Sequence, residues 1–202
     1  AGLFGIARWL ESSLRRCLRD PVAIRLRGFR RRAMPIAMIT GSEGKTTTTR
    51  LLASILEQAG HTVGVATTDD VTVAGETLVE GDWASRFGHR IALADPRVTA
   101  AALETARGGL KHYGLYIQPV MAAALLNVGT DHVGVDGVET IDDMARLKAR
   151  VTDACRHVVL NADDPRCLAL ASRYRPARVT LYSLDPDHAA LGPHIEAGGR
   201  AV

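Results

Sequence analysis

Five mostly apolar residues, Ile36-Ala37-Met38-Ile39-Thr40, run straight into Gly41-Ser42-Glu43-Gly44-Lys45-Thr46, and a helical pattern takes over from there. No other stretch restricts the fold as much. A short buried strand, a glycine turn and a helix in immediate succession aim the N–H groups of the turn and of the helix N-terminus at one point. That concave, electropositive point suits phosphate oxygens. In such a loop Lys45 neutralises phosphate charge and the Thr46 hydroxyl ligates Mg²⁺. The spacing is G-x-x-G-K-T, and the further glycine of the common phosphate loop is replaced by Ile39. A β–α turn of a dinucleotide fold is the alternative. The Lys-Thr pair and the run Thr46–Thr49 favour phosphate.

The rest of the chain keeps the alternation. The periodicity predicts a helix from about Lys45 to Ala59, closed by Gly60, and a strand over 62–67. Val71–Val73 and Thr77–Val79 flank Ala74-Gly75 and read as a hairpin. A helix is expected near Ala84–Ala94, and strands at Ala100–Glu104 and Val120–Asn127. Then follow a helix over Ile141–Cys155, a strand at His157–Leu160, a helix over Asp164–Arg173 and a strand at Val179–Tyr182. Strands separated by helices imply an α/β fold, a mostly parallel sheet with helices on both faces. With aromatics at 4% of the chain, the core must come from Val, Ile, Leu and Ala. That composition suits strands buried on both sides.

Charge is uneven along the chain. Residues 1–32 hold nine Arg against Glu11 and Asp20, a local +7 within a net +3, so the remainder carries about −4. Leu3, Ile6, Leu10, Leu14 and Leu18 recur at helical spacing and predict a basic helix over 3–19. An interfacial membrane helix is one reading, and a linker or docking helix is the stronger one, because amphipathic helices usually face protein. Cys17, Cys155 and Cys167 form no CxxC pair, which fits a reducing, cytoplasmic setting without disulfides. No apolar run approaches a membrane span, and no secretory signal pattern is visible. The start at Ala1, without Met, suggests a fragment.

Three further segments carry candidate chemistry. Glu104 ends a predicted strand, where ligands gather in open α/β sheets, and its carboxylate could hold Mg²⁺; a salt bridge or a cap is the bland alternative. Asn127-Val128-Gly129-Thr130-Asp131-His132 follows another strand, and His132 is a candidate metal or phosphate contact or a satisfied loop histidine. Lys148 comes sixteen residues later, on a predicted helix, where a lysine is normally solvated. Asn161-Ala162-Asp163-Asp164-Pro165 follows a fourth strand. Asn161 could match an adenine edge and Asp164 a ribose, or Asp164 could simply cap the next helix.

In this order the pieces resemble the central, ATP-binding domain of the Mur ligase family. Gly41 to Thr46, Glu104, Asn127 to His132, Lys148 and Asn161 to Asp164 carry the likeness, over about residues 35–185. Leu103-Glu104-Thr105-Ala106-Arg107-Gly108-Gly109, with Gly81-Asp82-Trp83, is similar to the C-terminal half of that family's cyanophycin-synthetase branch. The resemblance implies a basic segment over 1–34, an ATP-binding domain over 35–185 and a linker over 186–202 toward an amino-acid-binding domain beyond. It implies an ATP-dependent amide ligase working through an acyl phosphate, adding an amino acid such as arginine to an aspartate-containing polymer or peptide. ATP and Mg²⁺ would be its cofactors, amino acids and peptides its partners, with no nucleic acid; a homo-oligomer is compatible. Gly41, Ser42, Glu43, Gly44, Lys45, Thr46 and Thr47 would hold phosphates, and Asn161 and Asp164 the nucleoside. Thr46, Glu104 and His132 would hold metal, Lys148 would support it in carbamylated form, and Arg107 would bind an acceptor carboxylate. Lys45, Glu104, His132 and Lys148 would form the catalytic set. The chain departs from the family at Ser42-Glu43, where Thr-Asn is usual, which places a carboxylate near the phosphates. A polyglutamate-forming relative, or a silent subunit keeping only the fold, are the other readings.

Overall fold

The computed structural model describes residues 34–202, so the basic segment and helix expected within 1–32 lie outside the described residues. One sheet of nine strands organises the molecule, in the order β4-β3-β2-β5-β1-β6-β7-β8-β9. Its strands are β1 Ile36–Thr40, β2 Val63–Ala66, β3 Asp70–Val73, β4 Glu76–Glu80, β5 Ala100–Glu104, β6 Val120–Leu125, β7 Cys155–Asn161, β8 Val179–Tyr182 and β9 Arg200–Ala201. The pairs from β2 through β5, β1, β6, β7 and β8 to β9 are parallel. Within this sheet of the described residues, the β2–β3 and β3–β4 pairs are antiparallel, so the sequence-predicted hairpin is present as a sheet edge. The helices are α1 Lys45–Gln58, α2 Arg86–Ala94, α3 Arg107–Tyr113, α4 Ile141–Asp153, α5 Pro165–Leu170 and α6 Leu191–Glu196.

The central strands are buried on both faces, as parallel sheets require. All five residues of β5, Ala100 to Glu104, are buried, and Ile36, Met38 and Ile39 of β1 are at most 2% exposed. Small side chains here let α1 pack directly over β5 and α4 over β6. The helices start where local chemistry stops competing with them. Thr140 and Asp143 form a reciprocal capping box at α4, which satisfies two otherwise orphaned backbone groups. Asp164 accepts from the Arg166 and Cys167 amides at α5, with Pro165 in the first turn.

The structure adds elements that sequence pattern did not predict. Arg107-Gly108-Gly109 opens a helix, although paired glycines normally weaken one. A Cβ on Gly109 would lie 2.7 Å from the Ser85 Cβ, so glycine is needed for α3 to approach the α2 entrance. Residues 186–202, read from the sequence as a linker, hold α6 and β9, and β9 extends the sheet beside β8. The helix expected over Asp164–Arg173 is shorter, turning into a 3₁₀ segment at Ala171–Arg173. No helix among the described residues is long and apolar enough to cross a membrane.

Candidate active site

Strand register assembles the site. Ile39 of β1 pairs with Glu104 of β5, Thr40 with Leu125 of β6, and Leu125 with Leu160 of β7. Four parallel strands therefore end at one level. The residues at or just past those ends are Gly41, Thr105, Leu126 and Asn161, the last of them the final residue of β7, and a crevice outside the carboxyl ends of parallel strands is where such sheets bind ligands.

The glycine loop is braced by the protein's own residues. Asn127, just past β6, accepts from the Ser42 and Glu43 amides through its Oδ1 at 2.8 and 2.9 Å. Its Nδ2 donates to the Glu43 carbonyl at 3.3 Å, and Gly129 N donates to the Ser42 hydroxyl at 2.8 Å. Gly41 fits against this strut, since a Cβ there would meet Leu126 Cβ at 3.1 Å and Glu43 O at 3.2 Å. Gly44 has φ +74°, a left-handed turn into α1 that favours glycine. Helix α1 has no side-chain cap and no acid in its first turn. Its leading N–H groups thus lack a side-chain acceptor, the arrangement an anion completes. Of the residues expected to hold phosphate, Gly44, Lys45, Thr46 and Thr47 keep that role open. The Ser42 and Glu43 amides are bonded to Asn127, and the exposed Glu43 side chain is absent from the cleft lining. Lys45 Nζ turns back to the Ser42 carbonyl at 2.7 Å.

Glu104 is fully buried at the end of β5. Its Oε2 accepts from the Thr46 hydroxyl at 2.8 Å and from the Thr68 amide at 3.3 Å. Burial pushes its carboxyl above the usual carboxylate range, opposed by these two bonds and by the Lys45 charge. Its Oε1 is buried with no hydrogen-bond partner. An orphaned buried carboxylate oxygen beside a threonine hydroxyl fits a hard cation. Behind it, His89 of α2 is buried and its Nε2 donates to the Glu104 carbonyl at 2.7 Å, so Nδ1 is the unprotonated, unpartnered nitrogen.

Lys148 is 3% exposed on α4, so the solvated reading of that helical lysine does not hold. Its Nζ donates to the Gly41 carbonyl at 2.6 Å. Burial, then the nearby Lys45 charge, bring its amine down to about 8, with Asp131 opposing. His132 sits with Asp131 on an exposed loop at φ +63°. Arg107 opens α3 and is held by Asp136, with Nη1 at 3.3 Å from its Oδ2, and by the Val135 carbonyl. Gly41, Lys45, Lys148 and His132 line one cleft of about 540 Å³ together with Arg107 and Tyr113; Gly44, Thr46, Thr47 and Glu104 are outside that lining, and Thr68, which bonds both Thr46 and Glu104, is the lining residue next to them.

Asn161 and Asp164 are set apart from that lining. Asn161 Nδ2 donates to the Leu126 carbonyl at 3.0 Å, and Asp164 Oδ2 accepts from Val128 N at 2.7 Å while Oδ1 caps α5. Both tie β7 to the segment after β6, and the capping alternative for Asp164 is realised. Among the described residues no group of three or more His, Cys, Asp or Glu side chains gathers as a metal site. Sequence reasoning passed over three contributors: Asn127 as the loop's strut, Thr68 beside Glu104, and His89 behind it. Asn127 opens the Asn127–His132 segment, and a polar side chain directly after an apolar strand is a signal that the sequence offers. Nothing local marked His89.

The family described as the Mur ligase middle domain matches residues 39–197. Cyanophycin synthetase of Synechocystis sp. is 41% identical over 84% of this chain and 20% of its own length. The UDP-N-acetylmuramoyl-tripeptide–D-alanyl-D-alanine ligase of Mycobacterium bovis is 33% identical over 75% of this chain and 28% of its own. A solved UDP-N-acetylmuramoyl-L-alanyl-D-glutamate–2,6-diaminopimelate ligase superposes with a TM-score of 0.64 at 25% identity, over 76% of this chain and 33% of that one. The chain thus spans about a fifth of the length of the cyanophycin synthetases it matches.

Proposed function

The chain belongs to the Mur ligase family, and from that premise we propose that it is the nucleotide-binding part of an ATP-dependent amide ligase that adds an amino acid such as arginine to an aspartate-containing peptide or polymer. The observation that carries this reading is the continuity of the cleft: it starts at the glycine loop, passes Lys148 and reaches Arg107. Phosphates and a carboxylate can therefore lie end to end, as acyl phosphate formation needs.

The residues have distinct work in such a reaction. The leading amides of α1 and the Lys45 ammonium hold the β- and γ-phosphates. Lys45 leaves the Ser42 carbonyl to do so. Thr46 and Glu104 would hold one Mg²⁺, which would supply charge neutralisation at the phosphate oxygens when bound. Arg107 exchanges Asp136 for the acceptor carboxylate, whose oxygen attacks the γ-phosphorus as ADP leaves. The incoming amine then attacks the acyl carbon, phosphate departs and the amine loses a proton. Positioning and charge neutralisation carry most of such a transfer. Lys148 and His132 are our candidates for a second ion. Lys148 offers a carboxylate only after its neutral amine adds CO₂ and sheds a proton.

The test is phosphate release by the full-length protein with ATP, Mg²⁺ and a panel of amino acids and Asp- or Glu-containing peptides. Release with arginine and an Asp-rich peptide is expected. Release confined to glutamate would replace the substrate assignment with a polyglutamate product. Lys45→Ala is expected to abolish turnover, and retained turnover would overturn the phosphate-loop role.

A further inference from the structure

Helices α2 and α3 contain nine and seven residues, and neither carries a single carboxylate. They pack against each other beside the cleft. Their outer residues are Arg86, Phe87 and Arg90 from α2 and Lys111, His112 and Tyr113 from the last turn of α3. Phe87 is 47% and Tyr113 51% exposed, in a chain with only nine Phe, Tyr and Trp residues. Their rings meet edge to face at 4.9 Å, so the two aromatics form one exposed platform. Arg86 Nη1 donates to the Tyr113 carbonyl at 3.0 Å and fixes the platform to its charged border. Of the nearby acids, Asp136 is already paired with Arg107 and His112, Asp82 accepts from the Ala84 amide, and Asp131 lies on the cleft wall that also carries Lys148. Tyr113 itself lines the cleft, so the platform continues the proposed acceptor site outward.

We propose that this surface carries the extended part of an acidic peptide whose reacting end lies in the cleft. The chemistry is that of a chain bearing several carboxylates: Arg86, Arg90 and Lys111 offer donors at the border, and Phe87 and Tyr113 offer a rigid face for peptide planes and aliphatic stems. The basic stripe stands out because residues 33–202 carry a net charge of about −4. A carboxylate-rich chain is repelled by most of that body and attracted here, which gives direction as well as affinity. The proposal rests on the ligase reading for which end is bound in the cleft, and the surface itself can be tested without turnover.

The experiment uses the full-length protein and fluorescently labelled Asp-rich peptides, one long and one a short acceptor, followed by anisotropy at low and moderate salt. Arg86→Glu/Arg90→Glu is expected to weaken the long peptide about tenfold, a change of about 1.4 kcal/mol. The short acceptor and a nucleotide analogue should bind as before. The long peptide should also weaken as salt rises. Phe87→Ser should reproduce a smaller loss without altering charge. Unchanged affinity for the long peptide in both variants overturns the proposal. So does an equal loss for long and short peptides, or displacement of the long peptide by an oligonucleotide at lower concentration than by an acidic peptide. Binding with this length dependence but without phosphate release would leave the surface standing and remove the ligase reading. Phosphate release without any length dependence would do the reverse.

Discussion

At the residue scale, the site is made of groups whose environment is set by residues far away in the sequence. Asn127 is the clearest case. Its side chain reaches back 85 and 84 residues to the Ser42 and Glu43 amides. Asn127→Ala removes the shared acceptor and leaves the Glu43 amide to partial solvent, while the Ser42 amide keeps its 3.2 Å bond to the backbone carbonyl of residue 127, at about 1–2 kcal/mol. Calorimetry should show ATP affinity falling about tenfold with the fold intact. Lys148 is the second case. Burial favours its neutral amine, so raising the pH through about 8 removes the proton. Only about a tenth is neutral at pH 7 on that basis. Stimulation of turnover by bicarbonate is expected to grow from pH 7 to pH 8 and to vanish in Lys148→Arg, which keeps the charge but cannot be carbamylated. A pH-independent bicarbonate effect would exclude Lys148 as the modified group.

At the element scale, what could be read in advance was whatever chain adjacency guarantees. The strand–loop–helix unit at 36–58 was legible because strand, turn and helix follow one another without a break. So was Glu104, because a strand of three alanines and a leucine ending in a carboxylate is unusual enough to notice. Helix α3 was not, because Gly108-Gly109 argues against a helix until the Ser85 backbone is known to press on Gly109. Helix α6 falls in the stretch that the family resemblance assigns to a linker; Gly192 is a weak helix former, and Pro193 sits in the first turn, where a proline forfeits no hydrogen bond. Contacts between elements decide such cases. Gly88 of α2 makes the same point as a prediction. A Cβ there would lie 2.0 Å from the Trp83 carbonyl oxygen and 2.7 Å from its Cβ. Neither backbone can yield cheaply, so Gly88→Ala should cost about 1–3 kcal/mol or more in urea unfolding.

At the scale of the whole molecule, catalytic and structural demands meet in the block formed by β5, β1 and α2. His89 is fully buried there, and burial takes its imidazole down to about 4. The unfolded chain therefore takes up a proton near pH 6.5 that the folded chain refuses until about 4. Stability rises with pH across that window and is lost as pH falls through it. Urea unfolding at pH 7 and pH 4.5 should differ by up to about 3 kcal/mol from this group alone. The slope should flatten in His89→Gln, which can still donate to Glu104. The loop strut has a consequence at this scale too. Ordering a backbone residue costs about 1–2 kcal/mol in conformational entropy. In this fold Asn127 meets that cost at Ser42 and Glu43 when the sheet forms. A nucleotide that arrives later finds the loop already in place, and its encounter should be governed by diffusion and charge rather than by waiting for the loop to assemble.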